Sequence, residues 1–383
     1  MPNESLKAPK VIHFVTGGFS GATQVAVDLC LAANASHTMP VKLVLRQKRT
    51  TSALRVKALQ DLGLDVEVVP GWSHLATILA LNRICRQWQA DVLVAHGFSE
   101  HIWGRLAGLW AKVPVLVHVE HNSRERYTPW RLKICHWLAD KTAAMVGVSE
   151  GVKSRLIELG FPPHKCMAIS NGIDWSRFEA VPGLAWSDRQ ADVVMASRFA
   201  KQKDQPTLIQ AMRLLSQQHI QTRLSFAGVG KPRLIQNSQK VAAQSGLSSQ
   251  IDFLGHVANM PALLAKHQIF VLSTHYEGMP LALIEAMASG CACIGTDVIG
   301  VREVIQHGVT GLLVPENNAP ALAEAIALLI NDPEKAENLG RAARNIVQKH
   351  FTLNVMSENY TRLLLALYQQ KKSVPLNDPS KQI

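Results

Sequence analysis

The sequence predicts an α/β protein of two doubly wound domains, each with a parallel sheet covered by helices on both faces. Short β-branched runs alternate with amphipathic segments along most of the chain, a pattern typical of parallel-sheet domains. The length of 383 residues is enough for two domains of ordinary size. The alternation breaks once, at 179–192, where proline, glycine and polar residues predict a linker.

The strand candidates divide into two series, with helical stretches such as 21–34, 75–89 and 101–111 between those of the first. The first series lies at 11–16, 41–47, 65–70, 91–96, 113–121, 143–149 and 165–170, and the second at 192–199, 223–230, 251–257, 269–275, 291–297 and 311–316. The predicted boundaries are 1–180 for the first domain, 181–352 for the second, 353–370 for a C-terminal helix and 371–383 for a mobile tail. Ligands of such sheets bind beyond the carboxyl ends of the strands, so the residues that follow each strand are the candidate contacts.

Composition narrows the class of protein. A hydrophobic content of 47% with 18% charged residues indicates a soluble globular chain. No apolar run reaches the ~18–20 residues that span a bilayer, and the N-terminus lacks the apolar core of a signal peptide. The six scattered cysteines include no C-x-x-C pair, which favours buried, reduced thiols and a cytoplasmic protein. The net charge of +11 favours polyanionic partners: phosphates, anionic lipid or nucleic acid.

The loop after the first strand reads TGGFSGATQ. Gly17, Gly18 and Gly21 would let backbone N–H groups approach an anion at the start of the next helix. The spacing is GGxxG, however, and not the GxGxxG of dinucleotide sites, and the following strand ends in the basic run 46–49 where an NAD site has an acidic residue. An ordinary tight turn explains the loop equally well.

The stretch HVEHN closes the fifth strand. His118 and His121 differ by three positions, so on an extended strand they point to opposite faces. His121 is nearer the strand end and is followed by Asn122, which makes it the better candidate for a polar ligand contact. The sequence does not decide which of the two histidines faces the ligand.

Two strand ends of the second domain carry further candidates. Arg198 and Lys203, in SRFAKQKD, are cations in a loop that opens a helix and could clamp a diphosphate; solvated surface charges are the alternative. The turn that follows 251–257 could offer backbone groups to a nucleobase. Its candidate residues are Gly255, His256 and Val257.

The stretch EGMPLALIEAMASG, at 277–290, combines an anion site with two carboxylates. Proline is suited to the first turn of a helix, so the backbone amides near it are predicted to be unpaired, with the positive end of the helix dipole behind them. The residues of this phosphate site are Gly278, Met279, Pro280 and Leu281. Glu277 before it and Glu285 within the helix could each accept hydrogen bonds from hydroxyl groups. A ligand that is part polyol and part diphosphate, such as a nucleotide-sugar, fits this combination.

At these residues the chain resembles the retaining glycosyltransferases of family 4, which carry an E-x7-E signature and have the GT-B fold. The resemblance covers most of the chain and also includes the GG loop, the strand-end histidine and the segments 148–160, 169–174, 197–204 and 308–316. It implies two Rossmann-like domains that face each other across a cleft, with the C-terminal helix crossing back to the first.

The resemblance also implies roles for individual residues. Glu277 would contact the donor sugar and Glu285 the nucleotide ribose, while Arg198 and Lys203 would bind the donor diphosphate. His121 matches the cleft histidine of the family, and Gly17 and Gly18 match its N-terminal donor loop. The chain departs from the family at Gln24, where an acidic residue is common, and at CACIGTD, where a proline is usual.

The reaction implied is transfer of a hexose from a nucleotide-sugar, a UDP-sugar in the first instance, to a hydroxyl of a bacterial surface glycan: lipopolysaccharide, capsule or a lipid-linked oligosaccharide. No D-x-D triplet occurs, so we expect no metal and no cofactor. The alternatives are a nucleotide-sugar epimerase of the same fold, a GDP-mannose-type donor, an NADP oxidoreductase using the GG loop, and a nucleic-acid binder. The last lacks aromatics interleaved with its basic residues, so we expect no nucleic-acid partner.

A segment of the first domain could contact membrane. RERYTPWRLKICHWLADK, at 124–141, places Trp130 and Trp137 on one face of a helix with Ile134 between them, among several basic residues. The favoured interpretation is a core-facing stripe with solvated charges. The alternative is peripheral contact with anionic lipid at the inner face of the cytoplasmic membrane.

Overall fold

The computed structural model describes residues 8–97, 99–124, 127–181 and 184–373, and the chain divides into two units. The first unit comprises the chain up to Ser170 together with the residues from Leu353 onward, and the second is Asn171–Thr352. The boundary therefore falls before the predicted one at 180. Residues of the intervening segment belong to the second unit, where Ile173 forms an isolated β-bridge with Thr352.

The first unit contains a parallel sheet of seven described strands in the order β3-β2-β1-β4-β5-β6-β7. These strands are β1 Val11–Thr16, β2 Val41–Arg46, β3 Val66–Val69, β4 Val92–His96, β5 Val115–Glu120, β6 Ala144–Gly147 and β7 Cys166–Ala168. Its helices are α1 Gly21–Ser36, α2 Ala53–Asp61, α3 His74–Trp88, α4 Glu100–Trp110, α5 Pro129–Lys141 and α6 Glu150–Glu158. The strand order reverses between β1 and β4, which makes the carboxyl ends of these two strands the expected ligand position.

The second unit contains a parallel sheet of six described strands in the order β10-β9-β8-β11-β12-β13. They are β8 Gln190–Ala196, β9 Leu224–Ala227, β10 Ile251–Gly255, β11 His267–Leu272, β12 Ala292–Thr296 and β13 Leu312–Val314. The helices are α7 Ser176–Glu179, α8 Gln205–Gln217, α9 Pro232–Gln244, α10 Met260–Leu264, α11 Leu281–Ala288, α12 Ile299–Arg302, α13 Ala319–Asn331 and α14 Pro333–His350. Here the strand order reverses between β8 and β11.

The C-terminal helix α15, Leu353–Ser373, packs on α1 of the first unit. Its buried residues recur every fourth position, the spacing of a single helical face: Met356, Tyr360, Leu364 and Tyr368.

The doubly wound fold predicted from the sequence is confirmed, because each of the thirteen predicted strands is present and all described strand pairs are parallel. Strands buried on both faces explain the nearly continuous apolar runs in the sequence. The six cysteines are free and buried. No described helix is long and apolar enough to cross a membrane.

Helix α4 approaches the sheet unusually closely through two glycines one turn apart. A Cβ atom at Gly104 would lie 2.8 Å from the Phe14 ring and from Ala95, and one at Gly108 would lie 2.6 Å from Leu116. Both distances are shorter than side-chain carbons tolerate, so a larger residue at either position would force a packed neighbouring side chain or the helix to shift.

Replacing either glycine with alanine should therefore destabilise the protein, although alanine is the better helix former by about 1 kcal/mol. We expect Gly108→Ala to lower the free energy of unfolding by about 1–3 kcal/mol, the usual cost of overpacking. Gly21→Ala is the control, because a Cβ atom at Gly21 meets nothing within 4 Å. Urea titration measures both, and a Gly108→Ala protein as stable as the wild type would contradict the packing described.

Candidate active site

In the second unit, the loops that follow β8 and β11 run side by side at the point where the strand order reverses. The amide of Asp204 donates to the carbonyl of Ser273 at 3.0 Å, and that of His275 donates to Gln202 at 2.9 Å. Lys203 and Thr274 form an antiparallel bridge between the two loops. Asp204 also caps α8 by accepting from the amide of Thr207. The backbone on either side of Lys203 is thus fixed by hydrogen bonds.

Lys203 and Glu277 form an ion pair at this position, between Nζ and Oε1. Their side chains are only 12% and 8% exposed. The hydroxyl of Thr274 donates to the same Glu277 oxygen at 2.8 Å. The structure therefore brings together two residues for which the sequence predicted contacts with different parts of one ligand, the diphosphate for Lys203 and the sugar for Glu277. The positive charge of Lys203 is balanced within the protein by this carboxylate.

Arg198 differs from Lys203 in having an exposed side chain that forms no ion pair with any described residue. Its backbone is fixed, because its carbonyl accepts from Gln205 at 3.2 Å and its neighbour Phe199 donates to Val229 at 3.0 Å. An uncompensated guanidinium on an ordered loop is suited to binding an anion.

The start of α11 offers backbone donors. Leu281 is its first residue and Pro280 the N-cap, so the proline lies one position earlier than the first turn in which the sequence placed it. Among the described residues none accepts a hydrogen bond from the amides of Gly278, Met279, Leu281 or Ala282. Residues 278–280 are buried, whereas Leu281 and Ala282 are half-buried. Unpaired amides at the positive end of a helix dipole form an anion site.

The loop before α11 is held by close contacts from two sides. The side chain of Asn171 donates to the carbonyl of Met279 at 3.2 Å. A Cβ atom at Gly300 would collide with the carbonyl oxygen of Gly278, so the α12 backbone lies directly against this loop. Asn171 lies in ISNGID and carries a positioning contact that the sequence did not predict.

Glu285 lies on the same helix with its side chain 21% exposed, 4.0 Å from the guanidinium of Arg177. Sequence reasoning missed Arg177, and it also missed a pair formed by His275 and Glu316 at 2.9 Å. Both members of this pair are the last residues of predicted strands, so the rule that ligand contacts follow strand ends could have found them.

The predicted nucleobase residues follow β10 at the edge of the sheet. Gly255 has φ +65°, a conformation that favours glycine. Its carbonyl accepts from the amide of Gly228 at 2.7 Å, which ties this turn to the one after β9. His256 is exposed and Val257 half-buried.

In the first unit, the two candidate histidines lie in different environments. His118 is fully buried and stacks on His101 with ring centroids 3.9 Å apart. His121, just beyond β5, is half-buried, and its Nε2 lies 3.2 Å from Nδ1 of His96. His96 in turn is 2.9 Å from His13. Of the two candidates, only His121 has access to solvent.

The side chains around His118 form a separate polar cluster, in which His101, Arg105 and Glu120 are buried and Tyr127 is half-buried. The hydroxyl of Tyr127 donates to Glu120 at 2.9 Å, and the guanidinium of Arg105 donates to Nδ1 of His101 at 2.7 Å. Burial raises the pKa of Glu120 to about 7. Neither ring nitrogen of His118 has a hydrogen-bond partner among the described residues.

His101, His118 and Glu120 are close enough together to hold a metal ion. The hydrogen bonds argue against it. A metal-bound histidine donates its second N–H to an acceptor, but the second nitrogen of His101 faces Arg105, which is itself a donor. These three side chains are therefore better suited to a metal-free polar network, and we assign no metal to them.

The GG loop offers fewer free donors than the sequence predicted. The amide of Gly17 donates to the carbonyl of Arg46 at 2.8 Å, and that of Gly18 lies 3.4 Å from the hydroxyl of Thr16. Arg46 itself is only 4% exposed and contacts Glu100 and His74. The prediction that the amides of Gly17 and Gly18 bind an anion is not supported by these contacts, and Arg46 is not available to a nucleotide phosphate.

Comparisons with known proteins identify relatives of both units. The family model described as Glycosyltransferase Family 4 matches residues 19–177, and the one described as Glycosyl transferases group 1 matches 176–346. N-acetyl-alpha-D-glucosaminyl L-malate synthase of Bacillus anthracis is 30% identical over 312 residues, covering 78% of this chain and 81% of that protein. The UDP-Gal:alpha-D-GlcNAc-diphosphoundecaprenol alpha-1,3-galactosyltransferase of Escherichia coli is 24% identical over 298 residues, covering 73% and 76%.

Solved structures share the fold. Alr3699/HepE of Anabaena, crystallised with UDP and glucose, superposes with a TM-score of 0.82 at 19% identity, covering 94% of this chain and 100% of that one. Sucrose-phosphate synthase of Thermosynechococcus elongatus superposes with a TM-score of 0.77 at 18% identity, covering 94% and 100%.

The buried histidines of the first unit should make the protein sensitive to acid. Burial lowers the pKa of His13 to about 4 and that of His121 to about 3, and it lowers the pKa of His96, His101 and His118 well below 6.5. The unfolded chain thus binds more protons than the folded one below pH ~6.5. The stabilising contribution is complete above this pH and is lost as the pH falls. Glu120 has the opposite effect on the pH dependence of stability, because its pKa is raised in the folded protein. Its single contribution is smaller than the combined contribution of the five histidines.

We expect the free energy of unfolding to fall as the pH decreases from ~6.5 to ~4.5, with about 1.4 kcal/mol per pH unit as the upper limit for a single histidine that stays neutral in the folded protein. Denaturant titration at several pH values measures this slope. His118→Phe should reduce the slope, because one buried imidazole is gone. Equal stability of the wild type at pH 7 and pH 5 would contradict the burial of these rings.

Proposed function

The chain belongs to the glycosyltransferases of family 4, which have the GT-B fold, and we propose that it transfers a hexose from a UDP-sugar to a hydroxyl of a bacterial surface glycan with retention at the anomeric carbon. The observation that carries the proposal is the cluster at the strand-order reversal of the second unit. The Lys203–Glu277 pair, the exposed guanidinium of Arg198 and the unpaired amides at the start of α11 lie on loops of one sheet edge.

The difficult event in such a transfer is departure of the nucleotide diphosphate. The bond between the anomeric carbon and the phosphate oxygen breaks while the acceptor oxygen bonds to the same face of that carbon, and the acceptor proton passes to the departing phosphate. Arg198, Lys203 and the α11 amides would stabilise the negative charge that develops. Donors fixed before the reaction can contribute several kcal/mol in this way, since no reorganisation is needed.

The ion pair suggests a double role for Lys203. Its ammonium holds the Glu277 carboxylate in one orientation, aided by Thr274. A carboxylate held in this way could accept hydrogen bonds from sugar hydroxyls, while the remaining Lys203 protons would be available to a phosphate. Glu285 is proposed to bind the ribose, and Gly255, His256 and Val257 to bound the base. The resemblance adds a sugar contact from His121, which remains part of the proposal.

The proposal of a UDP-sugar is supported by a solved structure of the same fold, since Alr3699/HepE of Anabaena was crystallised with UDP and glucose. The galactosyltransferase of Escherichia coli, whose name gives a UDP-sugar donor and a lipid diphosphate acceptor, supports a lipid-linked glycan acceptor. The name of the Bacillus anthracis relative instead gives L-malate as the acceptor. A small soluble acceptor is therefore the alternative against which a lipid-linked glycan should be tested.

The experiment that tests the function is a screen of UDP-, GDP- and ADP-sugars for hydrolysis and for transfer, carried out in excess EDTA. We expect UDP release from one UDP-hexose at full rate in EDTA, because two cations and a helix end replace a metal. Release of GDP from a GDP-sugar, with no release of UDP from any UDP-sugar, would show that the donor is a GDP-sugar. Conversion of the UDP-sugar to its epimer without transfer would indicate an epimerase, and activity that returns only with Mg²⁺ or Mn²⁺ would refute metal independence.

The two cations should respond differently to substitution. Arg198→Ala should lower turnover by roughly 100-fold without loss of stability, since the Arg198 side chain is exposed and forms no ion pair with a described residue. Lys203→Ala should lower turnover and also destabilise the fold by roughly 3–5 kcal/mol, because it leaves a buried carboxylate unpaired. The control is Lys201→Ala, an exposed cation of the same loop. Turnover assays with denaturant titrations measure both effects, and unchanged turnover in Arg198→Ala and Lys203→Ala would exclude both residues.

We further propose that the first unit contacts anionic membrane through α5. The predicted core-facing stripe is wrong for its two tryptophans: Trp130 and Trp137 are each 52% exposed. Ile134 is half-buried and packs against the core beside Cys135 and Leu138. The two aromatic rings therefore belong to the surface, as the alternative interpretation required.

Charge and further apolar groups support this surface. The residues 124, 133 and 141 are exposed cations, and the guanidinium of Arg131 lies 5.4 Å from the centre of the Trp130 ring. Trp72, just before α3, is 83% exposed, and Leu75, in the first turn of α3, is 63% exposed. Helices α3 and α5 both pack against α4. Tryptophan anchors with cations are what an interfacial helix uses on anionic lipid.

Vesicle binding tests the membrane proposal. Vesicles with anionic lipid should bind the protein at low salt and release it at high salt, because each cation contributes about 1 kcal/mol near the surface and is screened by ions. Trp130→Ala combined with Trp137→Ala should abolish binding. Trp110→Ala is the matched control, since Trp110 is also 52% exposed but lies at the end of α4. A protein that ignores anionic vesicles at low salt would contradict the proposal.

A further inference from the structure

Three histidines of the first unit are joined ring to ring. Nδ1 of His13 lies 2.9 Å from Nε2 of His96, and Nδ1 of His96 lies 3.2 Å from Nε2 of His121. They come from three adjacent strands in the order β1, β4, β5, with His121 just past the end of its strand. None of the three imidazole rings makes another hydrogen bond to a described residue.

Neutral imidazole has one N–H and one acceptor nitrogen, so the tautomer of each ring determines the tautomers of the other two. If His13 donates from Nδ1, His96 must accept at Nε2 and donate from Nδ1, and His121 must accept at Nε2. The only remaining proton of His121 is then on Nδ1. If the direction reverses at one ring, it reverses at all three. Burial lowers the pKa of His13 and His121 to about 4 and 3, which keeps the rings neutral near pH 7.

The inner end of this series opens on a small cavity under α15. The cavity has a volume of about 30 Å³, and its wall includes His13, Leu29, Met39, Tyr360 and Leu364. This is enough for a water molecule, which needs roughly 10–15 Å³. The Tyr360 hydroxyl is buried in this wall and has no hydrogen-bond partner among the described residues. A buried hydroxyl without a partner costs about 1–3 kcal/mol.

We propose that His13, His96 and His121 form a one-directional hydrogen-bond relay, and that Tyr360 sets its direction by donating to Nε2 of His13, directly or through one water. The Tyr360 hydroxyl and His13 then satisfy each other. In this direction His121 is the Nδ1–H tautomer, and it presents a donor at the strand end. His13, His96 and Tyr360 are positioning residues, since they act through His121.

The consequence for catalysis rests on the proposed function. A donor at His121 would hydrogen-bond a sugar oxygen, whereas the opposite tautomer would offer only an acceptor there. Helix α15 thereby influences the chemistry of a residue that it need not touch. The relay itself is a property of the first unit and does not depend on what the protein transfers.

Tautomers are measured directly by long-range ¹H–¹⁵N correlation spectra of protein labelled at histidine. In the wild type we expect His121 to be protonated at Nδ1. Tyr360→Phe removes one hydroxyl and should change the tautomer ratio of His121 by roughly five-fold towards Nε2–H, which corresponds to a hydrogen bond of about 1 kcal/mol. In the background of His96→Phe the same substitution should have no effect on His121.

Tyr368→Phe is the matched control, because Tyr368 is buried on the same face of α15 but does not line the cavity. A wild-type His121 protonated at Nε2, or a ratio that responds equally to the two tyrosine substitutions or to neither, would overturn the relay. If the tautomer changes as expected while transfer by Tyr360→Phe and His121→Ala proteins is unaffected, the relay stands and the sugar contact of His121 is excluded.

Discussion

A carboxylate as buried as that of Glu277 is stable only when a cation and hydrogen bonds compensate its charge, and Lys203 and Thr274 supply both. This requirement explains why the loops after β8 and β11 are joined by backbone hydrogen bonds: the two charges must be held at fixed positions. The same arrangement leaves the α11 amides and the guanidinium of Arg198 uncompensated. A site with surplus positive potential beside a neutralised carboxylate favours a ligand with an anionic and a polyhydroxyl part.

The first unit meets a different constraint, the burial of many polar rings. Four histidines are buried and His121 is half-buried, and in all five desolvation makes the charged form unfavourable. Three of them satisfy one another in series, while His101 and His118 stack beside Glu120 and Arg105. Such networks are costly when incomplete, because unpaired polar groups lose their hydration. The hydrogen-bonded rings order the strand ends of this unit, but they make its folded state less stable in acid than at neutral pH.

Much of the fold and of the candidate site could be predicted from the sequence, because apolar runs and the residues that follow a strand are local features of the chain. The thirteen strands were predicted from the hydrophobic pattern. Arg198 and Lys203 became candidates because they follow a strand, and Glu277 because it precedes a predicted helix start. The Lys203–Glu277 contact could not be predicted, since it depends on the pairing of loops 74 positions apart. The hydrogen bond from the amide of Gly17 to the carbonyl of Arg46 could not be predicted for the same reason. Trp130 and Trp137 were misjudged because helical spacing does not say which face meets the sheet.

The account depends most on the claim that unpaired amides at the start of α11 bind a diphosphate. Hydrogen–deuterium exchange of these amides measures it, with UDP and with uridine as the comparison ligand. We expect UDP to slow exchange at residues 278–282 and uridine, which lacks phosphate, to leave it unchanged. Exchange that UDP does not alter in this segment, or that uridine slows equally, would contradict the account.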